Sequence, residues 1–266
     1  MSDAVTTRAV RLALAVSALR AARAIEAAAN LAQAMRAELA ATYVQDEDLL
    51  RAAALPCTVQ IGSLACGARP FELAEIERAL KREAIDVERA VAEAARNLGL
   101  GWTFEVLRGR AIDWPFERAG ANDITVIGKA GLELQWLRSA PSRLTIPGRS
   151  DGPILAIIDA KPGSIERLDR LLRSLGGNAA LTVWAPETTG RDAHATGQAL
   201  MALGKESQRT IRHFDNTEPF SATSVARVMR TLRPGVVIIA RSLAERIRTE
   251  LPEVLRLVAG TMIFAP

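Results

Sequence analysis

Short, wholly apolar runs alternate with segments of helical period along this chain. Ile124-Thr125-Val126-Ile127, Ile154-Leu155-Ala156-Ile157-Ile158 and Val236-Val237-Ile238-Ile239 hold β-prone residues without polar alternation. A strand reads this way when both its faces are covered, as in a parallel sheet with helices on either side. Segments with apolar residues every three or four positions lie between the runs, so the fold class is α/β. At 266 residues with 49% hydrophobic and 24% charged residues, the chain can bury one large core or two modest ones.

The order of elements restarts near residue 150. In the first half, residues 10–16 are strand-like, and residues 17–39 are Ala-rich and helical, with Ser17 as a candidate N-cap. Residues 39–44 form the next strand and complete a right-handed β-α-β unit. Residues 45–70 are an irregular insertion in which Asp46-Glu47-Asp48 suit the anionic start of a short helix, and Pro56, Gly62, Gly67 and Pro70 break the chain. A long helix is expected over 71–98, a strand over 102–107, a short helix over 113–119 and the buried strand over 124–127. Residues 132–139 read as helix, 143–147 as a short strand and 148–152 as a linker.

The second half continues with strands at 153–159, 180–184, 209–214, 236–239 and 262–264. Helices are expected between them over 164–175, 192–203, 221–232 and 243–258, the last interrupted at Pro252. Tandem duplication accounts for the restart. The expected architecture is two doubly wound, mostly parallel five-stranded sheets, in domains 1–149 and 150–266.

Charge narrows the function classes. Residues 1–150 carry 19 Lys/Arg against 18 Asp/Glu and the remainder 15 against 12, so the net charge of +4 is not gathered in one place. The nearest basic stripe is Arg227, Arg230, Arg233, Arg241, Arg246 and Arg248, of which the first three recur as the solvated face of a helix would. No nucleic-acid partner is expected. No run reaches the length of a membrane span, and Arg20, Arg23 and Glu26 break up the stretch after the apolar residues 12–16, so no membrane partner is expected either. Cys57 and Cys66 lack zinc spacing and do not make a disulfide framework, which fits a cytoplasmic protein with reduced thiols. His194 and His213 have no metal-ligand spacing. Trp102, Trp136 and Trp184 fall in or beside expected elements, as core or interface residues would.

Asp123-Ile124-Thr125-Val126-Ile127-Gly128-Lys129-Ala130-Gly131 runs a buried strand into Gly-x-x-Gly, and nine residues later stand Pro141 and Ser142. With the element order, this resembles the universal stress protein family, as two divergent tandem copies over nearly the whole chain. The resemblance implies that Gly128, Lys129, Gly131 and Ser142 would meet the phosphates of ATP with backbone N–H groups, a cation and a hydroxyl. Asp159, which ends the second half's first strand as the family's Asp does, is either a pocket residue or the N-cap of the next helix. The departures are Val16 at the position of the family's Asp, Pro141 in place of a glycine, and Ala240-Arg241-Ser242-Leu243 in place of the second Gly-x-x-Gly. A tight strand-to-helix turn without a ligand accounts for Gly128 and Gly131 equally well.

The function expected on these grounds is a non-catalytic, stress-response or regulatory role with at most weak adenine nucleotide binding in the first half. The alternatives are a slow ATPase of the same superfamily and a protein-interaction module without a ligand. The last strand, Met262–Phe264, is expected beside a first-half strand near residues 144–146, which makes the halves an internal pseudo-dimer. An unidentified protein partner and a homodimer remain open.

Overall fold

Strands form where the apolar runs were, and both faces of their sheet are covered by helices. The computed structural model describes residues 9–15, 18–56, 58–61, 68–70, 72–110, 113–120, 123–128, 153–159, 163–175, 179–186, 191–207, 209–214, 219–258 and 261–266. The first half contributes β1 (Ala9–Leu14), α1 (Ala18–Met35), β2 (Glu38–Asp46), α2 (Glu47–Ala53), β3 (Val59–Ile61), β4 (Ala68–Pro70), α3 (Leu73–Asn97), β5 (Trp102–Gly109), α4 (Trp114–Glu117) and β6 (Ile124–Ile127). The second contributes β7 (Ile154–Ile157), α5 (Ser164–Leu175), β8 (Leu181–Trp184), α6 (Arg191–Ser207), β9 (Ile211–His213), α7 (Ala222–Leu232), β10 (Val236–Ala240), α8 (Arg241–Arg246), α9 (Leu251–Leu257) and β11 (Thr261–Ala265).

The expected α/β architecture of mostly parallel strands forms, and the strands of the two halves meet edge to edge in one continuous sheet. Among the described residues, nine strands join in the order β5-β2-β1-β6-β11-β10-β7-β8-β9. Every neighbouring pair is parallel except β11 with β6, where Met262, Ile263 and Phe264 oppose Ile127, Val126 and Thr125. The expected partner for the last strand, residues 144–146, lies outside the described residues. The structure gives that place to β6. With β1 on one edge of β6 and β11 on the other, no sheet position beside β6 is open to a further strand. The helix expected over 132–139 and the linker over 148–152 also lie outside the described residues.

Alternation along each strand divides two apolar layers. Val10, Leu12 and Leu14 of β1, Ile154 and Ala156 of β7, and Ile238 of β10 face one layer, beneath α1, α3, α5 and α6. Ala13, Leu155, Ile157, Val237, Ile239, Met262 and Phe264 face the other, beneath α7, α8 and α9. Small side chains let α1 approach closely, since Ala21, Ala24, Ala28, Ala29 and Ala32 are all buried. The two layers pass uninterrupted from one half to the other, so the seam between the halves is core.

Local chemistry sets the ends of the elements. Asp46 caps α2 by accepting from the N–H groups of Asp48 at 2.9 Å and Leu49 at 3.3 Å. Ser221 and Ser224 form a capping box at the start of α7. The helix expected over 243–258 is two helices, because Pro252 sits in the first turn of α9, where its missing N–H costs nothing. The irregular insertion holds α2 and the β3–β4 hairpin, whose three-residue strands are too short to leave a period in the sequence.

Two helix exits use a non-glycine residue in the left-handed region, Arg36 at φ 51° and Arg233 at φ 46°. Arg233 is the C-cap of α7, donating its N–H to Met229. Glycine carries no Cβ penalty in that conformation. Arg233→Gly is therefore expected to stabilise the protein by about 1 kcal/mol, read as a higher urea midpoint at unchanged slope. A lower midpoint would show that the arginine side chain contributes more than its backbone strain costs.

Candidate functional site

The first-half candidates gather, in sequence, where β6 leaves the sheet. Its neighbour β1 ends beside it, and Gly128 continues the ladder by donating its N–H to the carbonyl of Ala13 at 3.3 Å. A Cβ on Gly128 would stand 2.6 Å from Cδ2 of Leu14 and 3.2 Å from Cβ of Ala24. Close packing of β6 against β1 and α1 therefore accounts for this glycine, independently of any phosphate. Lys129, Gly131 and Ser142 lie outside the described residues, as do Val16 and Pro141.

In the second half, Asp159 stands at the end of β7 beside α5 and α8. Its carboxylate accepts from Ser164 Oγ at 2.5 Å on one oxygen and from Ser242 Oγ at 2.8 Å on the other. Arg167 Nη2 donates to Ser164 Oγ at 3.0 Å and completes a chain of four side chains. Asp159 is buried, and so are Ser164, Ala240 and Leu243. The cleft above it is lined by Ile158, Asp159, Ser164, Arg167, Ala240 and Pro266 and has room for about one water molecule. Through these side-chain hydroxyls Asp159 ties the first turn of α5 to the turn after β10. Ser164 and Ser242 carry no sequence signal for this, because three separate segments must meet before the contact exists.

The position just after β10 also reaches across the seam. Because β11 runs antiparallel to β6, the carboxyl ends of the second half's strands lie beside the amino end of β6. Arg241 uses that placement. Its guanidinium donates to the carbonyls of Ala119 at 3.2 Å, Gly120 at 2.7 Å and Asp123 at 3.0 Å, all in the first half. Asp123 holds the turn these carbonyls belong to. Its carboxylate accepts from the N–H of Gly120 at 2.8 Å and from Arg11 Nε at 2.5 Å, and its own N–H donates to Gly120. Burial pushes the Asp123 carboxyl up, but the bond from Arg11, the Gly120 N–H and the Arg11 charge together hold it below its ordinary value. Burial lowers the Arg241 guanidinium from its ordinary value and the charge of Asp123 acts against that.

A second seam contact lies beside the first. The ring of Phe116 meets Phe264 of β11 edge to face, centroids 5.7 Å apart, and the Arg248 guanidinium sits 5.1 Å from the Phe116 centroid. Asp113 and Glu117 flank that guanidinium at 3.6 and 3.3 Å. Arg246 in turn lies 5.3 Å from the Phe220 centroid. Arg241, Arg246 and Arg248 of the basic run are thus committed to packing within the chain. Trp184 is a core residue between Phe214 and Phe220, and Trp102 packs half-buried on the other layer. Among the described residues no group of three or more His, Cys, Asp or Glu side chains could hold a metal, and no helix is long and apolar enough to cross a membrane.

No protein-family model matches this chain, and no curated protein matches it. Among solved structures, it is similar over 98% of its length to a universal stress protein from Archaeoglobus fulgidus DSM 4304, covering 97% of that chain at 9% identity with a TM-score of 0.49. A functionally unknown protein from Pseudomonas aeruginosa PAO1 is similar over 99% of this chain and 94% of its own, at 13% identity and a TM-score of 0.40.

Proposed function

We propose that the chain is a universal-stress-protein-like regulatory protein of the cytoplasm, acting in a stress response through its surfaces and conformation and without catalysis. The observation that carries this reading is the state of Asp159. A carboxylate that would have to face a nucleotide is already hydrogen-bonded by Ser164 and Ser242, in a cleft with room for about one water. A ligand taking this carboxylate would have to break both bonds, beside Ala240 and Leu243, which stand where the family carries glycine. Stranding the buried Ser164 hydroxyl costs about 1–3 kcal/mol. In the first half, Gly128 is explained by packing, and Val16 and Pro141 replace residues that the family directs at the nucleotide. Adenine nucleotide binding there is at most weak.

Calorimetric titration of Mg-ATP into the full chain tests this. The expected dissociation constant is weaker than about 100 µM, equivalent to less than about 5.5 kcal/mol, with no ATP turnover. Micromolar binding that Gly131→Val abolishes would overturn the proposal and establish the nucleotide-binding alternative in the first half.

A further inference from the structure

With β11 held between β6 and β10, the sheet formed by the described residues ends at β5 on one side and β9 on the other. These rims differ. β9 is three residues long, and β5 is eight. Among the described residues, nothing pairs with the outer edge of β5. The strand has no Pro, no Lys and an unbroken register against β2, so its edge is blunted only by the charges of Glu105 and Arg108. Val106 is 45% exposed, and Trp102, Phe104 and Leu107 are half-buried.

The pairing with β2 determines which backbone groups face outward. Leu39 donates its N–H to the carbonyl of Gly101 at 3.0 Å and stands in register with Trp102. In a parallel ladder this turns the N–H and C=O of Thr103, Glu105 and Leu107 toward β2. Those of Trp102, Phe104, Val106 and Arg108 point away from the sheet.

We propose that β5 pairs antiparallel with β5 of a second copy of this chain about a two-fold axis, joining the two sheets into one. A two-fold normal to the sheet keeps each residue on its own face, so opposed residues must share a face. Only two registers then overlap most of the strand, one centred on Glu105 and one on Val106. The first opposes Glu105 to its own copy, and like charges directly opposite are destabilising. The second opposes Val106 to Val106 with their backbone groups exchanged and places Phe104 opposite Arg108 twice over. An arginine against an aromatic face is attractive, and Glu105 then meets Leu107 rather than a like charge. The present partner of Arg108, Glu77 at 3.2 Å, forms an exposed ion pair that does not hold the guanidinium strongly. One strand edge is a small interface, so the dimer is reversible.

Sedimentation of the full chain from roughly 1 to 100 µM, below and across the range of a weak interface, is expected to show a monomer–dimer equilibrium. Val106→Lys, at an exposed site, sets two ammonium groups face to face and is expected to raise the dissociation constant at least about tenfold, with unfolding temperature showing that the variant folds. In a background of Cys57→Ser and Cys66→Ser, Val106→Cys is expected to oxidise to a disulfide-linked dimer, because opposed Cα atoms in such a pair lie about 5.5 Å apart. Glu105→Cys in the same background is expected to remain unlinked. A wild-type chain that stays monomeric, a dimer that Val106→Lys leaves unchanged, or cross-linking through Glu105→Cys in preference to Val106→Cys would each overturn the proposal.

Discussion

Phe264→Ala is expected to destabilise the protein by about 4 kcal/mol, the range for emptying a fully buried aromatic site. Phe264 has no exposed surface, lies on the strand that closes the seam, and meets Phe116 edge to face. The loss is therefore shared by both halves. Urea unfolding followed by circular dichroism and by tryptophan fluorescence should give coincident transitions before and after the substitution. Phe116→Ala combined with it should recover a coupling of about 1 kcal/mol beyond area burial. A loss below about 2 kcal/mol, or separate transitions for the two probes, would show that the halves are held together elsewhere.

Arg241→Ala is expected to cost about 3 kcal/mol. Hydrogen bonds to a charged group contribute about 1.5–3 kcal/mol each, and three carbonyls lose their donor, but the half-buried site lets water replace part of what is lost. For a chain of this size the unfolding temperature should fall by about 6–12 °C. Arg241→Lys separates charge from geometry. One ammonium cannot span the carbonyls of Ala119, Gly120 and Asp123 as the planar fork does, so lysine should recover less than half of the loss. Full recovery by lysine would mean that the attraction to Asp123 is what matters at this position.

The strands were legible because burial on both faces removes polar alternation, and Ile124–Ile127 and Val236–Ala240 are buried along their whole length. The start of α2 was legible through the acidic run Asp46-Glu47-Asp48, and α7 was placed to begin at Ser221, which the structure shows to be its cap. The seam was legible only in part. The last strand was expected across it, beside residues 144–146, but β6 as its partner was not, because pairing partners are set by long-range topology. Arg241 was hidden for a related reason. In sequence it is one arginine of a basic run, and its carbonyl acceptors lie in a turn of the other half. At the candidate site, the strand-end position of Asp159 was readable, but its saturation by Ser164 and Ser242 depends on three segments converging. Gly128 was readable as a required glycine, though the reason the structure gives is Leu14 and Ala24.

The antiparallel place of β11 also sets a schedule for synthesis. Val126 leaves the ribosome long before Ile263, the residue it pairs with. At ordinary elongation rates of about 5–20 residues per second, β6 presents a bare, apolar strand edge for roughly 7 to 30 s. The nascent first half cannot cover this edge during that interval, because the strand that covers it is made well after β6. Separating the halves onto two polypeptides would leave the first with an unfinished β6 edge prone to the wrong partner. The sheet edge at β6 thus depends on the distant strand β11.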